Sequence, residues 1–183
     1  MSIEEKNLFC LDLPTQPRPE KGIILVAGAT GYIGGRLIPD LLARGYKVRV
    51  LARSISPCVS QRWPGVEIVK ADVLEQEKLQ IAMKGVSAAY YLIHSPIFKS
   101  PKNSQLDVDA AHIFSHAAEE ANIDRIIYLG LLLRNQNPRS EFLKDRLNVV
   151  NELKAGKTPV TVLLADVIIG SGSAAYDIIS NTV

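Results

Sequence analysis

From Ile23 onward, six apolar runs of strand length alternate with stretches of helical pattern, and this alternation leaves few folds open. The runs are Ile23–Ala27 (IILVA), Lys47–Ala52 (KVRVLA), Val66–Ala71 (VEIVKA), Ser87–Ile93 (SAAYYLI), Arg125–Gly130 (RIIYLG) and Val160–Ala165 (VTVLLA). Helical patterns occupy residues 32–44, 73–84, 103–121 and 139–155, and a last helix is expected to begin near Ala174. Strands separated by helices connect through right-handed crossovers, which makes the sheet parallel and puts helices on both of its faces. The expected fold is therefore a three-layer, doubly wound α/β domain. One connection departs from the pattern. RSISPCVSQRWPG, Arg53–Gly65, carries two prolines and a glycine and predicts irregular structure. Gly45 in ARGY is a good C′ residue for the first helix. Asp72–Glu75 (DVLE) has capping-box character at the start of another, with aspartate in place of serine or threonine.

A chain of 183 residues is long enough for one well-buried core. The first 21 residues stand apart. Pro14, Pro17 and Pro19 make their second half extended, so residues 1–21 read as a flexible N-terminal arm and 22–183 as the domain. The arm is acidic where a signal peptide would be basic, and no run approaches the ~20 apolar residues of a membrane span. With 21 basic and 19 acidic residues mixed along the chain, the net charge of +2 gives no reason to expect nucleic acid or a membrane as partner. Cys10 and Cys58 lie far apart without metal-ligand or redox spacing, for which a reduced cytoplasmic setting is the simpler expectation.

The chemistry begins at VAGATGYIGGRL, Val26–Leu37, where Gly28, Gly31 and Gly34 follow the first strand and open the first helix. Gly28 allows a tight turn, Gly31 lets the backbone approach a pyrophosphate, and Gly34 lets the helix pack closely. Free N–H groups at the helix start would then face the phosphates. The alternative, a tight strand-to-helix turn that binds nothing, is countered by the strand–loop–helix context and by the six strands that continue it. The spacing is G-x-x-G-x-x-G rather than the usual G-x-G-x-x-G. With GATGYIGGRLIPDLLARGYKVRVLARS, ADV, AYYLIHS, RIIYLG and VIIGSGSA in order, the chain from Gly22 to Val183 resembles the extended and atypical short-chain dehydrogenase/reductases. Within these it is most similar to the NmrA-like group, and there to the bacterial YbjT-like proteins, which carry a further C-terminal domain. The resemblance implies an NAD(P)-binding Rossmann fold and an oxidoreductase ancestry acting on a small organic substrate. It also places Thr30, Tyr32 and Ile33 with the three glycines at the cofactor.

An acidic residue at the end of the second strand favours NAD, whereas arginine meets the 2′-phosphate of NADP. Here LARS puts Arg53 and Ser54 at that position, and guanidinium geometry suits a phosphate. NADP is the expected cofactor and NAD the less favoured one. Arg36 could add to the same positive region. The resemblance gives Asp72 and Val73 to the adenine, with plain N-capping as a second role for Asp72. In a sheet ordered 3-2-1-4-5-6, strands one and four flank the ligand crevice, so Ile93, His94 and Ser95 should lie near the nicotinamide ribose. His94 is the one histidine placed to act as an acid or base, against a plainer role as a hydrogen-bonded strand end.

Active members of the resembled superfamily carry Y-x-x-x-K on the helix after the fifth strand, where the lysine lowers the tyrosine pKa for proton transfer. In SEFLKDRLNVVNEL the pattern falls on Phe142 and Arg146. Phenylalanine cannot donate a proton and arginine stays charged. The serine expected at the end of the fifth strand is also missing from YLGLLLRNQ. Tyr128, inside that strand, reads as packed. Arg146 could still bond the nicotinamide ribose or form a surface salt bridge. Cofactor binding does not depend on the dyad, so a non-catalytic NADP-sensing regulator or scaffold stands as the alternative to an oxidoreductase.

His112 and His116, with Glu119 and Glu120, have metal-ligand spacing. The apolar stripe Ala110, Phe114, Ala117 and Ala121 turns both histidines to the polar side, and no metal is expected. Asp166 either faces the ligand or bonds a turn. The resembled proteins continue past VIIGSGSAAYDII with the segments that enclose a substrate, so the C-terminal substrate part is expected to be missing here. Ile178 and Ile179 then need a surface, for which self-association or a partner is expected.

Overall fold

The computed structural model describes residues 16–55, 61–94, 101–132 and 140–182. Both cysteines and Ser95 lie outside the described residues. Six strands, β1 (Ile23–Ala27), β2 (Lys47–Ala52), β3 (Glu67–Lys70), β4 (Val86–Tyr91), β5 (Arg125–Leu131) and β6 (Val160–Ala165), form one sheet in the order β3-β2-β1-β4-β5-β6. Every pairing is parallel. The helices are α1 (Tyr32–Ala43), α2 (Gln76–Met83), α3 (Pro101–Glu120), α4 (Glu141–Ala155) and α5 (Ala174–Ser180), preceded by a short 3-10 turn at Pro19–Lys21. Within the described part of the arm, the Arg18 N–H donates to the Tyr46 hydroxyl at 3.0 Å.

Side-chain alternation along β1 divides the core in two. Leu25 and Ala27 point to the face covered by α2, α3 and α4, where Leu79, Met83, Phe114, Val149 and Leu153 are buried. Tyr91 and Phe114 meet edge-on there, with ring centroids 4.9 Å apart. Ile24 and Val26 point to the opposite face, covered by Ile38 and Leu41 of α1. The irregular β2–β3 connection contributes to this second face. It sends Trp63, only 4% exposed, into the cluster beside Ile38 and Val50. An apolar side chain there supplies cover that a crossover helix would otherwise give.

The expected helix at 73–84 starts later, at Gln76. Half of the capping box forms, because Glu75 Oε2 accepts from the Asp72 N–H at 2.8 Å. Asp72 Oδ1 accepts from the Leu74 N–H at 3.1 Å and the Asp72 carbonyl from the Glu75 N–H at 3.0 Å, which closes Asp72–Glu75 as a turn before α2. At the far edge of the sheet, Leu163 of β6 is 51% exposed and Leu164, on the other face, 57%. Ile178 and Ile179 of α5 are exposed as well.

Candidate functional site

The strand order reverses between β1 and β4, and the glycine loop turns at that point. Ala27 of β1 lies level with Leu51 of β2 and Tyr91 of β4, and its carbonyl accepts from the Leu92 N–H at 2.8 Å. Gly28 follows with φ +92°, a conformation glycine reaches without strain. A Cβ at Gly28 would stand 2.7 Å from the Leu92 carbonyl, so any side chain would drive β1 and β4 apart. At Gly34 the corresponding distances are 2.5 Å to Gly28 O and 2.7 Å to Ala29 Cα. This glycine seats α1 on the loop itself. Gly31 differs from both. A Cβ there would meet only Gly28 O, at 3.3 Å, and otherwise open space. Gly31 is also the N-cap of α1, and no side chain caps the helix. The first-turn amides of Tyr32, Ile33 and Gly34 therefore start beside an accessible backbone, with exposed Thr30 next to it. A pyrophosphate fits such a cradle, because the amides can donate to it and nothing projects from Gly31 to exclude it.

Arg53 and Ser54 leave β2 at the same edge of the sheet and are exposed. Arg53 makes no ion pair or hydrogen bond among the described residues. Across the β2–β3 pairing, Val73 is buried and Asp72 half-buried, with one carboxylate oxygen engaged by the turn described above. Arg36 is directed elsewhere than the sequence suggested. Its guanidinium donates to the Ser171 carbonyl at 2.8 Å and lies 4.7 Å from the Tyr32 ring centroid. The β6–α5 connection thus reaches back to α1. A side chain at Gly170 would collide with the Tyr32 hydroxyl.

On the β4 side, Ile93 is half-buried and packs on the first core cluster, while His94 is exposed at the rim. Crowding by the protein and the nearby Arg146 guanidinium hold the His94 pKa below its ordinary value, against the opposing pull of Asp107 and a backbone hydrogen bond with Leu92. Arg146 is not a surface residue. It is 8% exposed, with Nη2 3.3 Å from Asp107 Oδ2. Its guanidinium also donates to the Tyr128 hydroxyl, although burial dominates and raises that phenol's pKa. Tyr91, buried next to Tyr128, is raised for the same reason. This polar cluster of Asp107, Tyr128 and Arg146 gave no signal in the sequence, since its members come from α3, β5 and α4. Tyr128 is packed, as expected. Phe142 falls in the first turn of α4, one helical turn before Arg146.

The histidines of α3 do not converge. His112 Nδ1 lies 2.9 Å from Glu152 Oε2, His116 pairs with Glu120 at 3.5 Å, and Glu119 holds Lys157 at 2.6 Å. Ala110, Phe114 and Ala117 are buried beneath them, as the stripe required. Asp166 is exposed. Among the described residues no helix is long and apolar enough to cross a membrane.

Comparison with known proteins places this geometry. The chain is 22% identical over 139 residues to photosystem II assembly factor Ycf39 of Trieres chinensis, covering 76% of this chain and 44% of that one. Its fold matches the crystal structure of Citrobacter sp. triphenylmethane reductase complexed with NADP(H), at TM-score 0.63 and 23% identity, over 76% of this chain and 47% of that one. It also matches a short-chain dehydrogenase/reductase superfamily protein from Agrobacterium tumefaciens with bound NAD, at TM-score 0.64 and 18% identity, over 78% and 48%. The chain spans between 33% and 44% of the length of the first curated relatives it matches. The model of the NmrA-like family matches residues 20–170. With the strand order, the glycine loop and this match in agreement, the chain belongs to the NmrA-like family of atypical short-chain dehydrogenase/reductase Rossmann proteins.

Proposed function

We propose that this chain binds a nicotinamide dinucleotide at the β1/β4 switch point and prefers NADP to NAD. The observation that carries the preference is Arg53, exposed at the end of β2 beside the glycine loop and without an acidic partner among the described residues. A carboxylate at that position would repel a 2′-phosphate, whereas a guanidinium offers it charge-assisted hydrogen bonds. In this reading the first-turn amides of α1 hold the pyrophosphate at Gly28, Thr30, Gly31, Tyr32, Ile33 and Gly34. Asp72 and Val73 bracket the adenine, and Ile93 and His94 border the nicotinamide ribose. When bound, the nicotinamide supplies hydride chemistry. The relatives support the cofactor class, since one solved neighbour carries NADP(H) and another NAD.

A second reading is favoured by a specific contact. Arg146 stands where the superfamily's dyad lysine is expected, yet its guanidinium engages half-buried Asp107 and Tyr128. With Phe142 at the tyrosine position, proton delivery by the usual dyad is lost. That supports a dinucleotide-binding regulator or scaffold acting through a partner, a role in keeping with a relative named as an assembly factor.

Calorimetric titration with NADPH and NADH, repeated on Arg53→Ala, tests the first reading. NADPH is expected to bind more tightly, and the variant to lose about tenfold toward NADPH alone. Equal binding of the two nucleotides by the wild type would refute the preference, and no binding of either would refute the site. Oxidation of bound NADPH across a panel of carbonyl substrates then separates the two readings, the regulator predicting no turnover above solution background.

A further inference from the structure

We propose that Arg62, on the β2–β3 connection, is a second specificity-determining residue that meets the 2′-phosphate of NADP together with Arg53. The inference rests on the NADP reading above. Its starting point is Gly35, the one glycine of GYIGGRL that the phosphate cradle does not require. Gly35 sits inside the first turn of α1 in ordinary helical conformation, where glycine is a poor helix former. The structure supplies a reason for it. A Cβ at Gly35 would lie 2.6 Å from Nη2 and 3.2 Å from Cζ of Arg62. The arginine lies against the bare helix backbone because no side chain intervenes.

The other support of that guanidinium is the Trp63 ring, whose centroid is 4.8 Å from Arg62 Cζ. Trp63 is anchored in the core, so it forms a firm backing for an exposed charge. Arg62 makes no ion pair or hydrogen bond among the described residues. Among the described residues its donors have no acceptor, and the Trp63 ring backs them. Their position is the first turn of α1, the end of the helix at which the backbone dipole favours an anion.

Arg53 opens the same connection, directly after β2. Because Leu51 is level with Ala27, β2 delivers Arg53 to the edge of the sheet where the glycine loop turns into α1. Arg36, the other arginine of the region, is engaged with Ser171 and Tyr32 instead. Arg62 therefore takes the place in the positive region that the sequence had offered to Arg36. Two guanidiniums from the two ends of the β2–β3 connection can each donate to one phosphate, which a 2′-hydroxyl would not reward.

The test is titration of the whole chain with NADPH, NADH and adenosine 2′,5′-bisphosphate, in the wild type, Arg62→Ala, Gly35→Ala and Arg53→Ala. Arg62→Ala is expected to weaken NADPH and the bisphosphate about five- to tenfold and to leave NADH unchanged. Gly35→Ala is expected to displace the guanidinium and reproduce part of that selective loss without a loss of thermal stability. An unchanged NADPH affinity in Arg62→Ala would overturn the inference, as would an equal loss toward NADPH and NADH. If Arg53→Ala abolishes the preference while Arg62→Ala does not, the NADP reading survives and the role of Arg62 fails. A wild type that does not prefer NADPH removes both.

Discussion

Two adjacent glycines in α1 are predicted to respond to the same substitution with opposite signs. At Gly34 an added methyl group would stand 2.5 Å from Gly28 O and 2.7 Å from Ala29 Cα, both backbone atoms of the loop under the helix. Restoring an ordinary contact of about 3.5 Å requires α1 to lift by about 1 Å. Ile38 and Leu41, both buried under that helix, would lose packing as it moves. Overpacking of this kind costs about 1–3 kcal/mol, against which alanine returns up to about 1 kcal/mol of helix propensity. Taking the middle of that cost, the net loss for Gly34→Ala is about 1 kcal/mol, or roughly 2–4 °C in Tm for a chain of this size. At Gly35 the obstructing atoms belong to the end of the Arg62 side chain, which can swing into solvent. Disturbing the Arg62–Trp63 contact takes back about 0.5 kcal/mol of the propensity gain, so Gly35→Ala should raise Tm by about 1–2 °C. Thermal and urea unfolding of both variants without nucleotide would read the pair. A Gly34→Ala protein as stable as the wild type, or two variants that shift alike, would show that α1 does not sit on the loop as described.

Other perturbations address the rim and the buried ion pair. Arg146→Met should destabilise the chain by about 3 kcal/mol, because it takes the guanidinium away from the mostly buried Asp107 carboxylate; a urea midpoint within error of the wild type would refute the burial. His94 titrates below its ordinary value in the folded chain, so its protonation opposes folding. Its contribution is complete above the unfolded pKa of about 6.5 and declines as pH falls below it. Tm measured from pH 8 to pH 5 should accordingly fall less in His94→Gln than in the wild type, and parallel curves would place the histidine in ordinary solvent. Arg49 is buried and donates to the Ala82 and Lys84 carbonyls at 2.6 and 2.7 Å, joining β2 to the end of α2. Arg49→Ala should cost about 2–3 kcal/mol by leaving those carbonyls unmet, read as a lower urea midpoint with unchanged slope.

The legible part of this molecule was written in local pattern. Runs such as IILVA and KVRVLA are too short and too apolar for anything but buried parallel strands, and each is separated from the next by the residues a crossover needs. The alternation predicts the parallel sheet and the position of the glycine loop, and the resemblance to the Rossmann proteins supplies the strand order. The positions of Gly28 and Gly34 were legible for the same reason, since a strand entering a helix through a tight turn has few places to put a side chain. The boundary of α2 was not legible, because the bond from the Leu74 N–H to the Asp72 side chain serves a turn as well as a helix cap.

What the sequence could not determine depends on groups that meet only after the layers assemble. Arg36, Arg53 and Arg62 are alike in sequence, yet Arg36 is tied to a loop from the far side of the sheet and Arg62 rests on Gly35. Arg146 carries no mark of burial in its helix. Its environment is set by Asp107 from α3 and Tyr128 from β5, brought against it by helix-on-sheet packing. Secondary structure follows from periodicities along the chain, which are properties of neighbours in sequence. The partner of a long charged side chain is chosen among residues tens of positions away, by distances that only the packed fold defines.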